Sequence, residues 1–93
     1  MVAQNPADNF LRYGLAMEYR NSGDLEAAVD EFQALMAAAP DYVPAYFHAG
    51  QTLERLGRLE NARQIYQLGI EAATQAGNQH ARSELQAALE LLG

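Results

Sequence analysis

Residues 21–32, NSGDLEAAVDEF, have a physical counterpart 34 positions further on, at residues 55–66, RLGRLENARQIY. At that offset Gly23 falls on Gly57, Leu25 on Leu59, Ala28 on Ala62 and Phe32 on Tyr66. Working outward, the same shift brings Ala16 onto Gly50, Met36 onto Ile70 and Pro6 onto Pro40. So many coincidences of matching physical type at one spacing mark an internal repeat, and a repeat sets the architecture before any local element is assigned.

Each copy divides at its glycine. Before Gly23, the residues Leu11, Leu15, Ala16, Tyr19 and Ser22 recur at three- and four-residue spacing, as one face of a helix requires. After it, Leu25, Ala28, Val29, Phe32, Leu35 and Met36 mark a second helix. The connections Asn21-Ser22-Gly23-Asp24 and Leu56-Gly57-Arg58 are short enough to demand an antiparallel hairpin. Gly23 and Gly57 are expected to close their helices in the left-handed conformation, which costs glycine almost nothing. Ala16/Gly50 and Ala28/Ala62 are small where a longer side chain would hold paired helices apart, and Pro6 and Pro40 punctuate the unit boundaries. Eighteen alanines and twelve leucines against five β-branched aliphatics favour helix over strand throughout. The chain reads as all-α.

This pattern resembles the tetratricopeptide repeat, a helix–turn–helix unit of the same period. The matching residues are Leu15-Ala16, Tyr19, Gly23-Asp24-Leu25, Ala28, Phe32 and Pro40, then Tyr46, Ala49-Gly50, Leu53, Gly57, Leu59, Ala62 and Tyr66. The resemblance implies a right-handed α-α superhelix of five helices in a single domain over 1–93. Its first repeat would lie at about 7–40, its second at about 41–76 and a capping helix at about 78–92. Two departures stand out. Arg12 occupies the place that Tyr46 holds in the second unit, and Thr74 replaces the closing proline. The fourth helix is therefore expected to continue to near Ala76, with Gly77 ending it. A fifth helix follows, with Ala81, Leu85, Ala88, Leu89 and Leu92 as its apolar stripe and Gln79, Arg82, Ser83, Gln86 and Glu90 as its polar side. A stacked array needs such a cap to close its last core face.

Charge narrows the choice of partner. Twelve acids face six arginines with no lysine, a net charge of −6. Such a chain gains nothing from counterion release at phosphates, so neither nucleic acid nor an anionic membrane is an expected partner. No apolar run approaches the ~20 residues of a membrane span, and Met1-Val2-Ala3-Gln4-Asn5-Pro6 lacks the layout of a signal peptide. A soluble cytoplasmic domain is expected. The absence of cysteine leaves the redox compartment open, and a segment of a longer protein would read the same way.

Chemistry-bearing constellations are missing from the sequence. His48 and His80 are far apart in sequence and read as structural or solvated. Gly14, Gly23, Gly50 and Gly57 are contact or turn glycines rather than a phosphate loop, and Asp30-Glu31 reads as solvent-facing charge. No catalytic residue, cofactor or metal ligand is assigned, and an enzyme is not expected.

The informative feature is the other face of each first helix. At about 100° per residue, Leu15, Ala16 and Tyr19 are expected to face the core while Phe10, Tyr13, Met17 and Arg20 lie opposite. In the second unit Ala49, Gly50 and Leu53 face inward, with Phe47, Gln51 and Glu54 opposite and His48 flanking. The family resemblance implies that these faces line a concave groove for a peptide or partner protein. That groove would comprise Phe10, Tyr13, Gly14, Met17, Arg20, Asn21, Phe47, His48, Gln51, Glu54 and Arg55, with some of His80, Ser83, Glu84 and Ala87 added by the cap. Gly14 beside His48 would leave a shallow pocket. Roughly 400 Å² of aromatic and methionine surface corresponds to about 10 kcal/mol gross. Association costs of about 4–15 kcal/mol leave room for a micromolar interaction.

Competing readings are also open. Met17 and Phe47 could pack on each other, Phe10 could be covered by Val2 to Pro6, and Arg20 and Glu54 could form a surface ion pair. The same stripe could serve a homodimer, or the chain could be an accessory domain of a larger protein.

Overall fold

The computed structural model describes residues 6–93. All regular structure among them is helical: α1 Pro6–Asn21, α2 Leu25–Ala38, α3 Val43–Arg55, α4 Leu59–Ala76 and α5 Gln79–Leu92. Helices α1 and α2 form one antiparallel hairpin, α3 and α4 a second, and α5 packs on α4 and α3. The backbones of α1 and α3, and of α3 and α5, come within 8 Å, whereas those of α2 and α4 do not. The odd-numbered helices therefore line the inner side of the stack.

Three helices end on the same device. Gly23, Gly57 and Gly77 have φ of 88°, 80° and 70°. In each case the following residue's N–H reaches back over the last turn: Asp24 to the Tyr19 carbonyl at 2.8 Å, Arg58 to Leu53 at 2.9 Å and Asn78 to Ala73 at 2.9 Å. These bonds satisfy carbonyls that a helix end would otherwise leave unpaired. Helix α4 runs to Ala76 with Gly77 as its cap, the stop expected from the missing proline. Helix α5 opens on Asn78, whose Oδ1 accepts the Ala81 N–H at 3.0 Å.

Two apolar clusters fill the stack. The first joins Ala16, Ala28, Phe32, Leu35 and Ala39 to Ala45 and Ala49 of α3. The second joins Val29 of α2 to Val43, Tyr46, Leu53, Ala62, Tyr66, Ala73 and Leu85. Helix α3 thus belongs to both, which is how one hairpin is keyed to the next. Close approach needs small residues: a Cβ on Gly50 would overlap the Tyr66 ring, and one on Gly69 would lie 2.6 Å from Tyr46 Cβ. Ala81, Leu85, Ala88, Leu89 and Leu92 all turn onto the second cluster, so the expected stripe of α5 closes that end.

Helix α1 departs from expectation. Leu11 and Leu15, placed on the core face by their spacing, are 67% and 40% exposed. Tyr13 and Met17, placed on the far side, pack instead on the flank of the first cluster, while Ala16 is buried as expected. Residues 13, 16, 17 and 20 share one face at about 100° per residue, and Leu11 and Leu15 lie on the other side. Among the described residues only α2 and α3 come near α1, and both approach the Tyr13–Arg20 face. The leucines occupy the open edge of the stack.

Candidate functional site

The inner face begins at the α1–α3 seam. Tyr13 stands among aromatic neighbours, its ring centroid 6.3 Å from Phe32, 5.5 Å from Tyr42 and 5.9 Å from His48. Burial and then the neighbouring Tyr42 raise its phenol above the ordinary value, against a weaker lowering effect of Arg20. Arg20 crosses the seam and donates from Nη2 to Gln51 Oε1 at 3.2 Å, while its Nε is buried without a partner among the described residues. Glu54 instead accepts the Tyr66 hydroxyl. The surface ion pair considered for Arg20 and Glu54 is therefore replaced by two separate hydrogen bonds. Burial first, then Glu54's hydrogen bond and charge, push the Tyr66 phenol far up.

His48 sits where the two seams meet. It is half-buried beside Phe47, with ring centroids 5.6 Å apart, and its Nδ1 is enclosed without a hydrogen-bond partner among the described residues. Burial and then the charge of Arg20 lower its pKa, and Glu84 opposes them. An imidazole so placed favours its neutral form.

The α3–α5 seam is open. One hollow of about 220 Å³ is walled by Val43, Pro44, Phe47, His48, Asn78, His80, Ala81, Glu84 and Leu85. Beside it, a second of about 330 Å³ is walled by Phe47, Gln51, Glu54, Tyr66, Glu84, Ala87, Ala88 and Leu91. Phe47 and Glu84 are common to both, so the two hollows adjoin along the α3–α5 seam. The pocket expected between Gly14 and His48 is not this one: the hollow at His48 opens toward α5, and Gly14 is not in its wall. A further depression beside Pro40 and Asp41 of the connecting loop, with Ala72, Gln75 and Ala76, has no aromatic side chain in its wall.

The structure gathers most of the residues singled out in the sequence. Tyr13, Met17, Arg20, Phe47, His48, Gln51 and Glu54 lie along the seams, joined from the cap by His80, Glu84 and Ala87. Phe10, Gly14 and Arg55 are exposed, contribute to neither hollow and lie at the margins. The possible cover of Phe10 by Val2 to Pro6 falls largely outside the described residues. Ala88, Leu91 and Tyr66 were missed. Leu91 had a readable signal, a leucine lying off the apolar stripe of a capping helix; Tyr66 had none, because its core position hides how far its hydroxyl reaches. Among the described residues, no three His, Asp or Glu side chains come together as a metal site, and no helix is long and apolar enough to cross a membrane.

Stacked helical hairpins with a hollow inner face define a class of repeat scaffold built from one recurring unit. The tetratricopeptide repeat profile matches residues 13–77, and the chain belongs to that family. A TPR repeat-containing protein of Pseudomonas aeruginosa is 29% identical over 85 residues, covering 91% of this chain and 81% of the relative. The solution structure of a tetratricopeptide repeat domain protein from Salinibacter ruber superposes with a TM-score of 0.88 at 39% identity, covering 96% of this chain and 90% of that one. A Bordetella parapertussis protein superposes at 0.82 with 31% identity, over 97% of this chain and 76% of its own. The fold is thus the right-handed α-α superhelix of that family, whose domains are generally protein–protein interaction modules.

Proposed function

We propose that this chain is a non-catalytic interaction module that holds a partner peptide or helix along its inner face. The contact residues would be Tyr13, Met17, Arg20, Phe47, His48, Gln51 and Glu54, with Phe10, Gly14 and Arg55 at the margins. One observation carries the reading: the aromatic seam of α1 and α3 continues into an open, apolar-walled cleft between α3 and α5. Concave apolar sites with a few convergent polar groups are where ligands ordinarily bind. Peptides selected from a random library on the immobilised protein, then titrated while methyl and aromatic NMR signals are followed, test it. Shifts of Met17, Tyr13, Phe47 and Ala87 are expected; shifts confined to α2 and α4 would overturn the assignment.

A second reading, homodimerisation, rests on the exposed leucines Leu11 and Leu15 at the open edge of α1. Sedimentation over a range of concentrations separates it from peptide binding. A strict monomer at high micromolar concentration would eliminate it.

A further inference from the structure

The inner face is not chemically uniform. In the larger α3–α5 hollow, Phe47, Tyr66 and Ala88 supply apolar wall, and Leu91 stands beside them 89% exposed. Glu54 and Glu84 are its charged residues, and neither lysine nor arginine lines it. Four of the six arginines are engaged elsewhere: Arg12, Arg58 and Arg63 face Glu31, Glu26 and Glu60, and Arg20 is turned to Gln51, while Arg55 and Arg82 stand in the wall of neither hollow. Glu84 has His80 at 3.5 Å, an exposed imidazole that carries charge only when protonated. An apolar hollow is thereby flanked by two carboxylates that pair with no arginine among the described residues, Glu54 accepting the Tyr66 hydroxyl instead.

We propose that this hollow takes an apolar side chain of a partner segment whose neighbouring residues are lysine or arginine. The inference rests on the groove reading above and specifies its partner. Apolar walls select the anchor, because a buried apolar side chain supplies the main favourable term in such contacts. Carboxylates on either side select the flanking charge and repel acidic segments. A second copy of this chain is a poor occupant, since it brings a net charge of −6 and no lysine. That same net charge attracts a cationic segment from a distance.

The library selection supplies the test when its winners are sequenced and measured by fluorescence anisotropy at pH 8, where ordinary imidazoles are neutral. Enrichment of lysine or arginine within two residues of an apolar position is expected, with binding that weakens as salt rises. Glu84→Gln and Glu54→Gln should each weaken these peptides about two- to fivefold at low salt, the range for rim charges. Glu84→Arg should shift the selection toward acidic peptides, and Leu91→Ser should weaken binding without lowering thermal stability. Winners that shift the groove signals but show no preference for basic residues, or prefer acidic ones, would overturn this inference and leave the groove reading standing. Winners that shift only α2 and α4 signals, or no winners at all, would remove both.

Discussion

Gly50 and Tyr66 show how much one missing methyl decides. The Tyr66 ring lies over Gly50 so closely that a Cβ there would overlap it, and the ring's hydroxyl emerges on the inner face to meet Glu54. The first hairpin has Ala16 and Phe32 at the matching positions, both fully buried, with no hydroxyl to deliver. Gly50→Ala is therefore expected to destabilise the fold by about 1–3 kcal/mol, the usual cost of overpacking. An unchanged thermal midpoint would show that the helices separate freely at this point. His48 makes a prediction of a different kind. Its folded pKa lies below the ordinary 6.5 because burial and Arg20 disfavour the imidazolium. Between the two values the unfolded chain binds more protons than the folded one, so stability is complete above pH 6.5 and falls as pH is lowered through the folded value. Thermal midpoints measured from pH 7.5 to 5.5 should decline for the natural protein and decline less for His48→Gln. Equal slopes would mean that the imidazole is solvated in the folded state.

At the scale of the helix, α5 separates holding the fold from meeting a partner. Leu85 is 1% exposed and packs into the notch left by Gly69, whereas Leu91 on the same helix stands in solvent. Leu85→Ala should cost about 2–5 kcal/mol, as buried leucine truncations do, and denaturant unfolding measures it directly. Leu91→Ser should lie within about 0.5 kcal/mol of the natural protein. Comparable losses for the two would mean that Leu91 is part of the core. The α5 stripe was legible because a capping helix has one neighbour side to satisfy and its spacing states which. Helix α1 was misread for the converse reason. Leu11 and Leu15 are its bulkiest aliphatics, and spacing alone cannot say that no neighbour comes to meet them. The face that does meet neighbours is aromatic and mixed, through Tyr13, Ala16, Met17 and Arg20. Likewise the seams of the candidate site were legible as helix faces, while the cleft itself depends on how α5 settles on α3, which periodicity within one helix does not encode.

Across the whole molecule, burial is greatest at the centre and falls toward both ends of the stack. Seven of the thirteen residues of α3 are buried, whereas Ala16 is the one buried residue of α1 and Leu85 the one of α5 among those described. Helix α3 is covered on one side by the first hairpin and on the other by α4 and α5, and it takes part in both core clusters. In a stacked array each unit is held by its neighbours, so stability is shared unequally and the least covered unit opens first. Native-state hydrogen exchange should therefore find the amides of the two end helices, α1 and α5, exchanging faster than those of α3, through openings that leave α3 and α4 intact. The α3 amides should exchange slowest, at the free energy of global unfolding. Because α1 carries Tyr13, Met17 and Arg20, a peptide bound across the α1–α3 seam should slow α1 exchange more than that of α4. Uniform protection across α1 to α5 would instead mean that the stack unfolds as one unit, with the exposed edge of α1 held as firmly as its centre.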